Sequence, residues 1–175
     1  MVKPLVLVPL FLFAGLAIAF LVGMKNGDQA LPSTMEGRQA PGVEVTALGS
    51  GPIITQDDLK AHGVKLVNFW AVWCQPCRVE HPMLAKLAAE GIPIFGVHHK
   101  NRPDGAEEFL SELGNPYAKV ALDSGMMAIN WGVYGVPETY VIDGKGMVVL
   151  RWAGPITPDV LEREIRPAMA KAAAN

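Results

Sequence analysis

The chain contains two cysteines, Cys74 and Cys77, in the segment WCQPCR at residues 73–78. An apolar run typical of a buried strand, residues 64–70, ends just before them, and a helical pattern begins at Gln75. At a helix start, unsatisfied N–H groups and the positive end of the helix dipole favour a thiolate. The pattern therefore predicts Cys74 as a solvent-facing, attacking thiol. Cys77, one turn further on and shielded by the helix, is predicted to be the resolving thiol.

Two other interpretations of the cysteine pair are a static structural disulfide and a zinc site. His81 could supply a third zinc ligand, and His98 or His99 could in principle supply a fourth. Structural zinc normally takes four ligands, and no fourth residue is obvious in the sequence. We therefore predict no metal, and no cofactor other than a redox-active disulfide between the two cysteines.

The remaining patterns describe the elements that must hold this pair in place. Thr55 followed by Asp58 three residues later predicts a capping-box helix start, and DGKG at 143–146 predicts a hairpin turn. Strands are predicted at residues 43–48 (an edge strand), 64–70, 92–97, 139–142 and 147–152. Besides the helix that begins at Thr55, helices are predicted at residues 75–90, 104–113 and 158–173. This order predicts an α/β fold with a mixed central β-sheet and helices on both faces.

The amino-terminal part of the chain is strongly apolar, since residues 5–23 carry no charge. This length matches the hydrocarbon layer of a membrane. We predict a tail at 1–4, a transmembrane signal anchor at 5–23, a Gly- and Pro-containing linker at 24–42 and a folded domain at 43–175. A cleaved signal peptide ending at Ala19 is the alternative. Either interpretation sends the domain across the membrane.

Composition limits the other classes of function. The 175 residues suit one domain plus an extension, and half of them are hydrophobic. The net charge of −2 and the lack of a basic run predict no nucleic-acid binding. Nothing in the sequence indicates an obligate oligomer, so we expect a monomer.

Two separated motifs carry a resemblance to a known family. The segment NFWAVWCQPC at 68–77 resembles the thioredoxin superfamily signature, Pro82 resembles the proline that kinks its active-site helix, and Val136–Pro137 resembles its cis-proline loop. CRVEHP at 77–82 and GVYGVPET at 132–139 are similar to the DsbE/CcmG branch, the anchored thioredoxins of cytochrome c maturation. RQAP at 38–41 also resembles the start of that branch's domain.

This resemblance implies a thioredoxin-like fold and a thiol:disulfide oxidoreductase. The implied substrate is apocytochrome c, whose CxxCH cysteines would be reduced, or an assembly partner that holds them. Electrons would come from a transmembrane thiol carrier, and the domain would lie in the periplasm, anchored by one span in the bacterial inner membrane. The alternatives are a DsbA-type thiol oxidase, a copper-delivery protein of the same fold, and a binding module without turnover.

The resemblance also assigns expected roles to residues around the cysteines. Asn68 stands where thioredoxin has a buried aspartate, and Glu80 is expected to exchange protons with Cys77 in its place. A nearby carboxylate would disfavour the thiolates and make the pair more reducing. The expected substrate-binding residues are Trp73, Pro76, Tyr134, Val136, Pro137 and Glu138. Trp131 could line the same groove or belong to the core.

Overall fold

The computed structural model describes residues 8–25, 33–100 and 105–175. The chain divides into two compact units, Met1–Pro32 and Ser33–Asn175. In the first unit, helix α1 covers Val8–Lys25. Among the described residues, no helix reaches the length and apolarity that a membrane crossing requires, so the anchor predicted at 5–23 is not supported. The predicted tail at 1–4, residues 5–7 of the predicted anchor and residues 26–32 of the predicted linker lie outside the described residues.

The second unit is built on one six-stranded sheet of order β1-β4-β3-β2-β5-β6. Its strands are β1 (Thr46–Ala47), β2 (Lys65–Trp70), β3 (Ile94–His99), β4 (Lys119–Asp123), β5 (Glu138–Ile142) and β6 (Val148–Ala153). Its helices are α2 (Gln56–Lys60), α3 (Gln75–Ala89), α4 (Ala106–Leu113), α5 (Met126–Trp131), α6 (Pro158–Val160) and α7 (Arg166–Ala173), the last two joined by a π-helical turn at Leu161–Ile165.

The mixed sheet is confirmed by its pairing. Strand β2 lies parallel to β3 and antiparallel to β5, and β3 lies parallel to β4. Every residue of β2 is buried, which explains why apolar side chains lie on both of its faces. The predicted capping box is present, since Asp58 N–H donates to the Thr55 side chain and the Asp58 side chain accepts from the Thr55 backbone. The predicted hairpin is formed by β5 and β6.

The sequence patterns predict no element between Leu113 and Thr139, whereas the structure has β4 and α5 there. Both are short, and α5 has no capping side chain of its own at Gly125. Its first turn is held by Asp123, whose carboxylate accepts from the N–H groups of Met127 and Ala128. Because this support depends on strand β4 being in place, periodicity alone does not reveal the helix.

Helices cover both faces of the sheet, as predicted. One apolar cluster contains Trp70 of β2 with residues of α3, α4 and α7, and it includes both cysteines. The other contains Phe69 of β2 with Leu59 of α2 and Trp131 of α5. The alternation of Phe69 and Trp70 between the two clusters follows from the two-residue period of a strand.

The chain ahead of β1 is part of the sheet's edge. Gly37 N donates to Val148 O at 2.8 Å, and Val148 N donates to Arg38 O at 2.9 Å. Gln39 forms an antiparallel bridge with Met147, and Ala40 is buried. Residues 37–40, which the sequence analysis included in the linker, therefore pack against β6.

Candidate active site

The two cysteines form a disulfide where β2 gives way to α3. The Cα atoms of Cys74 and Cys77 are 5.3 Å apart, and the S–S distance is 2.04 Å. Cys74 is the N-cap residue of α3, and its Sγ accepts a hydrogen bond from Cys77 N at 3.1 Å. This N–H would stabilise negative charge on Cys74 once the bond is reduced.

The expected difference in exposure between the two sulfurs is absent from the disulfide form. Cys74 and Cys77 are each 3% exposed and belong to the apolar cluster that contains Trp70. The prediction that Cys74 faces solvent is therefore wrong for this state, because its Sγ turns inward to cap the helix. Pro76, next to the disulfide, is exposed in the first turn of α3, where a missing N–H costs no helical hydrogen bond.

Glu80 is fully buried on α3, one turn after Cys77. Its Oε1 accepts from Asn68 Nδ2 at 2.8 Å and its Oε2 accepts from Ile156 N at 3.0 Å. Burial raises the pKa of Glu80 to about 7, against the lowering effect of these two hydrogen bonds. Glu80 is thus not a solvated surface charge. An acid of this pKa can both accept and release a proton near neutral pH.

Tyr117, which was not among the predicted site residues, belongs to the same polar cluster. Its hydroxyl donates to Asn68 Oδ1 at 2.8 Å, and burial and the charge of Glu80 raise its pKa well above the usual range. The ring lies against β3 at Gly96, where an added Cβ would come within 2.7 Å of it. A glycine in a buried strand was the available sequence signal for such a close approach.

The predicted proline loop lies between α5 and β5. The Val136–Pro137 peptide bond is cis, as predicted, and Pro137 O accepts from Gly154 N at 3.0 Å. Val136 is half-buried and packs against the cluster that contains the cysteines, whereas Pro137 is buried. The structure therefore brings Val136 to the apolar cluster of the disulfide.

The aromatic residues expected in the groove fall into two groups. Trp73 is 62% exposed and Tyr134 is 69% exposed, so both present apolar surface to solvent. Trp131 is fully buried against Phe69 and Tyr140, which places it in the core. Of the two interpretations of Trp131, the structure supports the core.

Glu138 is buried rather than presented on the loop surface. Its Oε1 accepts from Arg151 Nε at 2.5 Å, and the Tyr140 hydroxyl lies 2.6 Å from the same oxygen. Arg151, on β6, also donates from Nη2 to Gly132 O at 2.9 Å. Its guanidinium carbon lies 4.6 Å from the ring centroid of Tyr134. Arg151 therefore joins both ends of the proline loop and supports Tyr134 from below.

Arg151 was not among the predicted site residues. It faces Tyr140 across the β5–β6 hairpin, two positions from Glu138. The hairpin itself was predicted, but the register that brings this arginine under the loop was not.

The possible zinc ligand His81 contacts Gly114 O through Nε2 at 2.8 Å. Within the part of the chain that the structure describes, no three metal-ligand side chains cluster.

A disulfide at the start of a helix, facing a cis-proline loop on a mixed sheet, defines a thiol:disulfide oxidoreductase of thioredoxin-like fold. Residues 35–165 match the Redoxin family. The chain is 46% identical over 172 residues to the thiol:disulfide interchange protein HelX of Rhodobacter capsulatus, covering 97% of this chain and 98% of that protein. It is 38% identical to DsbE of Escherichia coli K12, covering 98% and 96% of the two chains.

A solved structure also supports the thioredoxin-like fold. A Chlorobium tepidum protein assigned as a thiol:disulfide interchange protein DsbE superposes with a TM-score of 0.64 at 30% identity, covering 78% of this chain and 99% of that one. The chain therefore belongs to the Redoxin family, among the thiol:disulfide interchange proteins of the DsbE and HelX type.

Proposed function

We propose that this protein is a disulfide reductase of cytochrome c maturation that acts in the periplasm, with Cys74 as nucleophile, Cys77 as resolving thiol and Glu80 as proton acceptor. The observation that carries the catalytic roles is the arrangement on α3. Cys74 caps the helix, Cys77 follows one turn later, and the buried carboxyl of Glu80 follows one turn after that. Helical residues three apart are neighbours on the helix surface, so Cys77 lies between Cys74 on one side and Glu80 on the other.

In the reaction, the Cys74 thiolate attacks one sulfur of a substrate disulfide and releases the other as a thiolate. The product is a mixed disulfide between Cys74 and the substrate. Cys77 then gives its proton to the Glu80 carboxylate, and the Cys77 thiolate attacks Cys74 Sγ. This step releases the second substrate thiolate and leaves the Cys74–Cys77 disulfide. The substrate gains two electrons, and a dithiol partner must resupply them.

The proposed substrate is the CxxCH segment of apocytochrome c or a disulfide of an assembly partner, and the proposed electron donor is a transmembrane thiol carrier. Two observations support this choice. The motifs at 77–82 and 132–139 resemble the DsbE/CcmG branch, and the chain is similar to HelX and DsbE along nearly its whole length. Trp73, which precedes Cys74, is exposed, Val136 packs against the cluster that contains the cysteines, and Tyr134 of the same loop is exposed, so an extended peptide could lie on these apolar side chains. We propose that the protein acts as a monomer.

The deciding measurement is the reduction potential of the Cys74–Cys77 pair in the full-length protein. We expect a value at or below about −200 mV, which suits a reductant, whereas a value near about −120 mV would indicate an oxidant of the DsbA type. With an oxidised CxxCH peptide, Cys77→Ser should accumulate the mixed disulfide and Cys74→Ser should form none. A Cys77→Ser protein that traps no peptide would contradict the assigned roles. Metal titration of the reduced protein separates this function from copper delivery.

A further inference from the structure

The first turn of helix α3 is tied to helix α4 by Arg78, the residue that directly follows Cys77. Its Nη1 donates to both carboxylate oxygens of Glu112, each at 3.1 Å. Its guanidinium carbon lies 4.7 Å from the ring centroid of Phe109, within the range of a cation–π contact. Only 33% of the Arg78 side chain is exposed. Arg78 is therefore held against α4 by two partners on that helix.

This tie lies close to the sulfur of Cys74. Cys74 is the N-cap residue of α3, and Arg78 follows it by four residues, a spacing that makes side chains neighbours on a helix. Helical side chains also lean toward the amino end of their helix, so the turn that Arg78 could cover is the one that begins at Cys74. Phe109, on which the guanidinium lies, belongs to the apolar cluster that contains both cysteines.

The positive charge of Arg78 acts on the groups around it. Burial lowers the pKa of the neighbouring His81, and the charge of Arg78 lowers it further. A cation also lowers the pKa of a nearby thiol, because it favours the thiolate. The disulfide carries no charge that could attract the guanidinium, whereas a reduced Cys74 thiolate would attract it. Glu112 and the Cys74 thiolate are therefore two anions that compete for one cation.

We propose that Glu112 is a positioning residue that holds the positive charge of Arg78 on α4 and so withholds it from the Cys74 thiolate. A strongly stabilised thiolate makes a CxxC pair an oxidant, so the restraint on Arg78 acts in the reducing direction. This inference rests on the proposed function, in which Cys74 is the attacking thiol of a reductant. It adds to that function a residue on a different helix that does not touch the sulfurs.

Other ionisable groups near Cys74 set the conditions of the test. Besides Arg78, the first two turns of α3 carry Glu80 and His81, α4 carries Glu107, Glu108 and Glu112, and His98 of β3 lies against Trp70 of the cysteine cluster. Burial lowers the pKa of both histidines, so they are neutral where a thiol titrates. Burial raises the pKa of Glu80 to about 7, so all proteins that are compared must retain Glu80.

The test measures the ionisation of Cys74 in the full-length Cys77→Ser protein, in which Cys74 is the only thiol. The rate of alkylation by iodoacetamide as a function of pH gives the acid dissociation constant of Cys74, since only the thiolate reacts. We expect Glu112→Gln to raise this constant about threefold at low ionic strength, because the freed guanidinium stabilises the thiolate. At about 1 M salt, where the Debye length falls to about 3 Å, the difference should disappear.

Two further variants separate the position of Arg78 from the charge of Glu112. With Arg78→Gln already present, Glu112→Gln should change the constant much less, because no cation is set free. Glu108→Gln is the matched control, since Glu108 is an exposed carboxylate on the same helix that does not pair with Arg78 in the described part of the chain. An equal rise in either of these proteins would overturn the proposal, because Glu112 would then act only through its own charge. Exposed ion pairs contribute little to stability, so all variants should fold.

Failure of this proposal is distinguishable from failure of the proposed function. If Cys77→Ser traps an oxidised CxxCH peptide but Glu112→Gln leaves the dissociation constant of Cys74 unchanged, the role of Cys74 stands and that of Glu112 is wrong. If Cys77→Ser traps no peptide, the assigned catalytic roles are wrong, and the ionisation of Cys74 in the Glu112→Gln protein still decides whether Glu112 restrains Arg78.

Discussion

Glu80 and Glu138 are both fully buried in the folded domain, but their surroundings differ in charge. Glu80 has only neutral partners, the amide of Asn68 and the N–H of Ile156. Glu138 is paired with the guanidinium of Arg151. The difference shows how one domain can bury two carboxyls for separate purposes. A buried carboxyl among neutral groups can change its protonation state, whereas one paired with arginine holds the two side chains in a fixed geometry.

Arg151, the partner of Glu138, has the properties expected of a structural ion pair. Burial lowers the pKa of Arg151, but the hydrogen bond to Glu138 and the negative charge of Glu138 raise it, and the net shift is upward. The same cation bonds Gly132 O and lies over Tyr134. Glu138 is therefore one anchor of a rigid support beneath the proline loop. Glu80, by contrast, lies on the helix that carries the cysteines.

The largest loss of stability should come from breaking the ion pair between Arg151 and Glu138. In Arg151→Met the carboxylate of Glu138 is left buried without its cation, and we expect the free energy of unfolding to fall by about 3–5 kcal/mol. Asn68→Leu, which removes a neutral partner of Glu80, should cost only about 1–3 kcal/mol. Urea unfolding measures both.

Arg163→Met serves as the control for Arg151→Met, since its ion pair with Asp159 is exposed and should have no measurable effect. Adding Glu138→Gln to Arg151→Met should recover part of the loss by removing the unpaired charge. Equal losses in Arg151→Met and Asn68→Leu would remove the distinction between the two carboxyls.

Stability should depend on pH through Glu80. Burial raises its pKa from 4.5 to about 7, so between these values the folded oxidised protein holds a proton that the unfolded chain has lost. The free energy of unfolding should therefore decrease as pH rises through this interval, by on the order of 3 kcal/mol. Glu80→Gln should remove this decrease, whereas Glu138→Gln should retain it. Parallel pH profiles for wild type and Glu80→Gln would contradict the assignment.

The smallest expected effect is on the kinetic constants, where KM reports substrate binding and kcat reports the chemical step. Arg151→Lys keeps the positive charge under the loop but loses the planar fork that reaches Glu138 and Gly132 together. We expect KM for an oxidised CxxCH peptide to rise about fivefold, equal to about 1 kcal/mol, with kcat nearly unchanged. Glu80→Gln should show the opposite split, a lower kcat with KM retained. Steady-state kinetics of the two variants gives the comparison directly, and a kcat effect in Arg151→Lys would assign Arg151 to the chemical step.

The two carboxyls also show what the sequence could predict. Glu80 was identifiable because it lies three residues from Cys77 on a helix with a clear apolar pattern, so its position one turn after Cys77 follows from local geometry, while its role in proton exchange stays a prediction. Arg151 could not be found in this way, since it reaches Glu138 through the register of a hairpin. Tyr117 reaches Asn68 through β4, a strand too short to show a pattern of its own. The strands and helices with long periodic patterns were predicted, whereas contacts that depend on sheet register were not.

The pairing of residues 37–40 with β6 has a consequence for the behaviour of the protein in solution. Strand β6 is the last strand of the sheet, and an uncovered last strand offers free N–H and C=O groups to other chains. Gly37, Arg38 and Gln39 occupy part of that position. These residues thus protect the protein against association through its own sheet, and a shortened chain that begins after Ala40 would be prone to aggregate even with its disulfide intact.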